Sequence, residues 1–301
     1  MDHCPAAPAP PGREEISAVL DCAGKQLSLD APQVMGVLNV TPDSFSDGGD
    51  FVSTSAALDH ARAMVAAGAA IIDIGGESTR PGADEVPETE ELRRVIPIVE
   101  ALSEALDVPV SVDTTKPGVM RRAAAAGAGL VNDVLALRAP GALETMAELE
   151  GVPVCLMHMQ GTPRTMQRDP EYGDVVAEVH AFLGERIAAC EAAGIGRERL
   201  LVDPGFGFGK HMNHNAALLC HLERFQDLGC PVLIGLSRKS FIGNILDLPP
   251  KERVSGSVAA AVLAAWKGAR IVRAHDVAET VQALRVVDFV ARHGAGDGTV
   301  Q

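Results

Sequence analysis

Aromatic residues are nearly missing from this 301-residue chain: one Trp, one Tyr and eight Phe make up 3% of it. A phenylalanine in a loop therefore stands out. The six cysteines (Cys4, Cys22, Cys155, Cys190, Cys220 and Cys230) include no C-x-x-C pair, and a chain this long does not need disulfides. Structural zinc and thiol redox chemistry are not expected, and Cys155, in an apolar strand, reads as a small core residue. There is no G-x-S-x-G, no H-E-x-x-H, no Walker A sequence and no G-x-G-x-x-G after the first strand. No apolar run is long enough to span a bilayer, and the N-terminus lacks a basic segment followed by an apolar one. The expectation is a soluble, cytoplasmic protein that contacts no membrane. A formal charge of −14 repels phosphate backbones, which argues against nucleic acid as a partner. It leaves room for a local basic pocket that takes a small anion.

With 47% hydrophobic residues the chain can bury a large core. Short apolar runs recur: VMGVLNV (34–40), AIIDIGG (70–76), PVSVD (109–113), GLVNDV (129–134), PVCLMH (153–158), LLVDP (200–204), PVLIGL (231–236) and ARIVRAH (269–275). Most are nearly continuous in apolar residues, as strands covered on both faces must be. Between them lie amphipathic stretches such as SAALDHARAMVAAG, ETEELRRVIPIVEALSEA, VVAEVHAFLGERIAACEAAG and SVAAAVLAAWKGA. Gly68, Gly127, Gly194 and Gly268 follow these helical stretches as left-handed caps would. Eight strands alternating with helices predict a single-domain (β/α)8 TIM barrel over residues 21–293. A flexible extension over 1–20 and a flexible tail over 294–301 flank it. A doubly wound open sheet is the structural rival, and the count of eight favours the barrel.

Nearly every strand ends on a polar group: Asn39, Asp73 with Glu77, Asp113, Asn132 with Asp133, His158, Asp203, Ser237 to Lys239, and Arg273 with His275. A barrel gathers such ends on one face, where its active sites sit. Helix capping accounts for part of this set. It does not account for Lys239, Arg273 and His275, because cations disfavour helix N-termini and suit a bound anion. DPGFGFGK (203–210) offers three glycines and two loop phenylalanines, Phe206 and Phe208. GLSRKSFIG (235–243) sets Arg238 and Lys239 beside two serines. GGESTRPGA (75–83) is a second turn-rich loop, carrying Arg80. In LMHMQG (156–161), Met157 and Met159 could line a flat pocket or simply fill the core, while His158 reads as a structural histidine. Carboxylates and carboxamides (Asp113, Asn132, Asp203) match the donor edge of an aminopyrimidinone, and the cations suit a phosphate.

Together NVTPDSFSDGG, GGESTRPGA, SVDTTKP, VND, LMHMQG, DPGFGFGK, SRKSF and RAHDV resemble, in order and spacing, the dihydropteroate synthases. The resemblance implies a homodimeric folate-pathway transferase that joins a dihydropterin-methyl diphosphate to p-aminobenzoate with Mg2+. It further implies that Asp113, Asn132, Asp203 and Lys239 hold the pterin, with Met157 packing on it. Asn39, Arg273 and His275 hold the diphosphate, Asn39 through Mg2+, and Thr79, Arg80, Pro81, Phe208 and Ser240 frame p-aminobenzoate. Asn39, Asp113, Asp203, Lys239, Arg273 and His275 form the expected catalytic set. Two rival readings are a non-catalytic pterin-binding paralogue and a methyltetrahydrofolate–corrinoid methyltransferase. Residues 41–53 exceed the usual connection of about 2–6 residues. They read as a mobile cover over the site, with 77–87 as its other half.

Overall fold

The computed structural model describes residues 19–40, 54–78, 83, 85–162 and 165–294. Eight parallel strands form the centre: β3 (Gln33–Asn39), β4 (Ile71–Gly75), β5 (Val110–Asp113), β6 (Leu130–Asp133), β7 (Val154–Met157), β8 (Leu200–Asp203), β9 (Leu233–Ile234) and β10 (Ile271–Ala274). They are hydrogen-bonded in the order β8-β7-β6-β5-β4-β3-β10-β9. A parallel bridge between Val202 and Val232 joins the two ends. The result is the (β/α)8 barrel expected from the count, and the open-sheet alternative is set aside. The helices are α1 (Thr54–Ala66), α2 (Glu88–Ala105), α3 (Pro117–Ala125), α4 (Ala142–Glu148), α5 (Val175–Ala192), α6 (Met212–Cys220), α7 (Ser240–Leu246), α8 (Val254–Trp266) and α9 (Val277–His293). Gly68, Gly127, Gly194 and Gly268 follow α1, α3, α5 and α8 with φ of 102°, 101°, 88° and 98°, the left-handed region in which a helix ends cheaply. No helix among the described residues is long and apolar enough to cross a membrane.

Alternation along the strands separates two cores. Outward residues such as Leu38, Ile72, Val112, Leu156, Val202 and Val272 pack under the helices. Inward residues form a separate cluster lower in the barrel: Met35, Ile71, Leu130, Cys155, Leu201, Leu233 and Ile271. Two residues further along six of these strands, about 6.6 Å higher by the strand rise, the inward positions are Asp73, Asn132, Met157, Asp203, Gly235 and Arg273. The barrel interior thus changes from hydrocarbon to polar within one step of the pleat.

The lower end is closed by a hairpin not anticipated from the sequence, β1 (Val19–Cys22) and β2 (Lys25–Ser28). Leu20, Cys22, Leu27 and Leu29 join the inward cluster and plug the barrel floor. Its two-residue turn has φ of 53° at Ala23 and 92° at Gly24, the paired positive values of a type I′ hairpin. Lys25 Nζ donates to Leu106 O (2.6 Å) and Ser103 O (3.2 Å), satisfying carbonyls at the end of α2. Val19 and Leu20 thus already belong to a strand, although the sequence reading set the tail boundary at residue 20. Gly294 caps α9, while the remainder of the expected tails, the 41–53 cover and residues 79–82 and 84 of the 77–87 loop lie outside the described residues.

Candidate active site

At the top of the barrel the strand-end residues converge as the alternation requires. Asp73 is fully buried, with 0% exposure, and its Oδ2 accepts from Arg273 Nε at 2.6 Å. Arg273 Nη2 donates to Asp113 Oδ2 at 3.0 Å. Asn132 Nδ2 lies 3.5 Å from the same Asp73 oxygen. On the other side, Asp203 Oδ1 accepts the Gly205 N–H at 2.7 Å. Lys239 Nζ donates to Phe206 O at 2.6 Å and sits 4.5 Å above the Phe208 ring. His275 donates its backbone N–H to Ser237 Oγ at 3.1 Å, and its Nδ1 lies 3.1 Å from that hydroxyl. Asn39 ends β3 beside Gly75, where an added Cβ would come within 3.4 Å of its Oδ1. Met157 and Phe208 share an apolar cluster with Val134, Met159 and Met166 that flanks these polar groups. Ser240 is exposed at the first turn of α7. Thr79, Arg80 and Pro81 lie outside the described residues.

The electrostatics follow from burial. Desolvation raises Asp113 to about 7 against the pull of Arg273, with Asp73 adding to the rise. Asp203 is raised by burial, opposed by Lys239 and the Gly205 N–H. Desolvation lowers Lys239 to about 8, with Asp203 acting the other way. Burial alone would lower Arg273, but Asp73 and Asp113 outweigh it and hold the guanidinium charged. The site therefore places one carboxyl, Asp113, and one ammonium, Lys239, near their switching points beside a permanent cation, with Asp203 shifted upward by the same burial. That arrangement can accept hydrogen bonds from a polar heterocycle and neutralise an anion beside it.

Neighbouring groups that looked similar in sequence have other tasks. Asp133 points outward and accepts the N–H groups of Leu135 (2.8 Å) and Leu137 (2.7 Å), fixing a turn in which Ala136 and Leu137 have positive φ. Arg238 is paired with Asp276, at 3.0 Å from Nε and 2.5 Å from Nη2, so only Lys239 of the basic pair faces the site. Phe206 is buried in the outer core, whereas Phe208 borders the site. His158 is structural, as its apolar surroundings suggested: its Nδ1 lies 2.9 Å from Lys210 Nζ, and desolvation holds it down at about 2.

Three features escaped the sequence reading. Asp73, in sequence one strand end among several, lies at the centre of the polar network. Lys210 is buried and donates to Gly205 O and Phe208 O at 2.9 Å each, stapling the glycine loop from below. Lys116, at the start of α3, donates to Glu77 and to the buried Glu91 (2.5 Å), and Glu77 also accepts the Val86 N–H at 3.0 Å. Both ends of the 77–86 segment are thereby tied to the barrel. The signal available for Asp73 and Lys210 was charge inside an otherwise apolar or glycine-rich motif; Lys116, in the polar stretch SVDTTKP, carried none.

A family described as pterin binding enzyme matches residues 35–275. A dihydropteroate synthase of Escherichia coli (strain K12) is 58% identical over 265 residues, 88% of this chain and 94% of that protein. A Yersinia pestis dihydropteroate synthase in complex with a sulfonamide drug superposes with a TM-score of 0.87 at 54% identity, covering 91% of this chain and 99% of that one. A Xanthomonas albilineans dihydropteroate synthase with 4-aminobenzoic acid gives a TM-score of 0.86 at 58% identity, covering 91% and 98%.

Proposed function

Because the chain belongs to the dihydropteroate synthase family of pterin binding enzymes, we propose that its strand-end cluster is the catalytic centre of that family's transfer. The reaction condenses 7,8-dihydropterin-6-ylmethyl diphosphate with p-aminobenzoate to 7,8-dihydropteroate and diphosphate, in folate biosynthesis. The observation that carries the reading is the single network in which Arg273 bridges Asp73 and Asp113 beside Asn132. It sets an anion-binding group against the acceptors of a heterocycle.

In this reading Asp113, Asn132, Asp203 and Lys239 hold the pterin, and Met157 packs on its face. Arg273 and His275 hold the diphosphate, and Phe208 and Ser240 border p-aminobenzoate, together with Thr79, Arg80 and Pro81. No protein nucleophile is needed. The bond between the pterin methylene and the diphosphate oxygen breaks, and its electron pair leaves with the diphosphate, where Arg273 and His275 stabilise it. Asp113 and Asp203 favour the cationic methylene left behind. The arylamine nitrogen supplies the electron pair of the new C–N bond and then loses a proton to solvent. Exclusion of water until that bond forms protects the cation.

The residues fit a Mg2+ ion of the kind the family resemblance implies. Asn39 offers one neutral carboxamide oxygen, and Gly75 keeps the space beside it open. Mg2+ retains waters and is commonly held by one or two protein oxygens together with substrate phosphates. Among the described residues no group of three His, Cys, Asp or Glu side chains could hold a metal by itself, so the ion would be shared with the substrate. When bound it neutralises charge on the diphosphate.

A homodimer is part of the same proposal. Ile245, Leu246, Leu263, Trp266, Phe289 and Val290 are exposed on α7, α8 and α9, with Trp266 at 61% and Phe289 at 63%. Adjacent exposed apolar residues of this size mark an interface. The reading also carries a cytoplasmic location, where pterin diphosphate would be made and used.

The test is the turnover of Asp203→Asn and Arg273→Ala, with diphosphate release followed in the presence and absence of p-aminobenzoate. Loss of turnover in both, and release that depends on p-aminobenzoate, is expected. Near-normal turnover in both variants would overturn the reading. Pterin binding without any diphosphate release would favour the non-catalytic paralogue instead.

A further inference from the structure

Asp73 stands where the two halves of the site meet. It faces the barrel axis from β4, with 0% exposure. Arg273 comes from β10, two strands to one side, and Asn132 from β6, two strands to the other. One oxygen of Asp73 serves both: Oδ2 accepts from Arg273 Nε at 2.6 Å and lies 3.5 Å from Asn132 Nδ2. Its Oδ1 is buried with no hydrogen-bond partner among the described residues. A carboxylate buried in this way depends on Arg273 for its charge compensation.

We propose that Asp73 is a positioning residue for the transfer: it grips Arg273 by its Nε edge, in line with Asn132, and so presets the spacing between the diphosphate and pterin ends of the substrate. The proposal rests on the assignment of Arg273 to the diphosphate and Asn132 to the pterin. An Arg guanidinium carries five donors in a rigid plane. With Nε held by Asp73 and Nη2 by Asp113, the plane is fixed along two edges. Among the described residues Nη1 makes no hydrogen bond, so its donors remain for the departing diphosphate. Asp73 itself sits one step of the pleat below Gly75, the last residue of β4. It acts through Arg273 and not by touching the reacting atoms.

Asp73→Asn keeps the side-chain shape, and its carbonyl oxygen can still accept from Arg273 Nε, but the charge is gone. Asp73→Ser removes the grip altogether. A misaligned phosphate ligand costs kcat steeply, so we expect a fall of about 10-fold for Asp73→Asn and about 100-fold for Asp73→Ser. The KM for p-aminobenzoate should stay within about twofold of wild type, because that substrate does not depend on Arg273. Inorganic diphosphate should bind Asp73→Asn at least as tightly as wild type, because one carboxylate that neutralises Arg273 has been removed. A purely structural defect would not combine a lower kcat with undiminished diphosphate affinity.

The decisive comparison is Arg273→Met against Asp73→Asn/Arg273→Met. The double variant removes both buried charges together. It should melt higher than Arg273→Met and be no less active, since Asp73 has nothing left to position. This pair also serves if Asp73→Asn alone fails to fold. A further loss of about 10-fold in the double variant would overturn the proposal, as independent effects multiply. If Arg273→Met is impaired while Asp73→Asn and Asp73→Ser keep kcat within about threefold of wild type, the site assignment stands and this proposal falls. If Arg273→Met binds diphosphate and turns over normally, the assignment falls and the proposal with it.

Discussion

Lys210 offers a direct test of how the glycine loop is held. Its Nζ donates to Gly205 O and Phe208 O at 2.9 Å and lies 2.9 Å from His158 Nδ1, with no carboxylate in contact among the described residues. Lys210→Met keeps the apolar stem and deletes the donors. Phe208 O then loses its donor, at about 1–3 kcal/mol, and Gly205 O loses less, since it still accepts the Phe208 N–H at 3.1 Å. Relief from burying the ammonium offsets part of this. Burial pushes the Lys210 amine well below its ordinary 10.5, so at neutral pH the native state bears a desolvation cost that the variant lacks. The expected net loss is about 2 kcal/mol at pH 7, or about 4–8 °C in melting temperature for a domain of this size. Between the lowered folded value and 10.5 the unfolded chain binds a proton that the folded chain does not, so wild-type stability rises with pH across that window. Methionine has no such gain, and the gap between the two proteins should widen from pH 7 to pH 9. Because the same loop positions the Gly205 N–H against Asp203, kcat/KM should also fall by about 10-fold. Denaturant titrations at both pH values, with steady-state kinetics, make the measurement. Equal stabilities and a gap that does not change with pH would refute the account of Lys210 as a buried staple whose amine is held below its ordinary value.

Gly205→Ala should abolish activity in a folded protein, because the new Cβ would lie 1.8 Å from His158 O at a φ of 72°; normal kcat would show that the loop is free to shift. Leu27→Ala, in the floor hairpin, should cost about 2–4 kcal/mol in denaturant unfolding while leaving KM for both substrates unchanged. The rate should fall as pH drops through about 7, where Asp113 gains a proton and loses acceptor capacity, and again as pH rises past about 8, where Lys239 loses its charge. A pH–rate profile that is flat from about 6 to 9 would contradict both assignments. If the proposed dimer forms through α8, Trp266→Glu should sediment as a monomer beside a dimeric wild type, and equal masses for the two would remove α8 from the interface.

The eight barrel strands were legible because a strand covered on both faces has to be apolar along its length, and the chain marks each end with a polar residue. The network at those ends was legible in composition but not in pairing. Asp73 and Asp113 look alike in sequence, as do Asp133 and Asp203. What distinguishes them is direction: Asp73, Asp113 and Asp203 fall on the inward phase of their strands, while Asp133 falls on the outward phase beneath a helix and fixes a turn. Counting in twos from Met35, Ile71, Leu130 and Leu201 would have separated them. The hairpin was hidden for another reason. Its turn is Ala23-Gly24, and alanine at φ 53° lacks the asparagine or glycine signal by which such turns are recognised. Lys210 was hidden because a lysine after a glycine run ordinarily reaches solvent, and only the closed fold folds it back under its own loop.

The same inward phase explains how a chain with a net charge of −14 can hold a diphosphate. Long-range charge is screened within about 8–10 Å at physiological salt, so the local sum at the mouth of the barrel decides. There Arg273, Lys239 and His275 stand against Asp73, Asp113 and Asp203. If every carboxyl were ionised, the region would have no surplus of positive charge to offer. Burial changes that balance, since it raises Asp113 to about 7 and raises Asp203 as well, while Arg273 stays charged. Asp113 is thus partly discharged at neutral pH by the low dielectric that makes it a good partner for a polar heterocycle, and Asp203 is moved in the same direction. Asp73 is committed to Arg273 through the short Nε contact, so it orients the cation as well as neutralising it. Depth in the barrel therefore carries chemical meaning: hydrocarbon at the floor and, one step of the pleat above it, the Asp73–Arg273 ion pair together with the acceptors against which the substrate would lie.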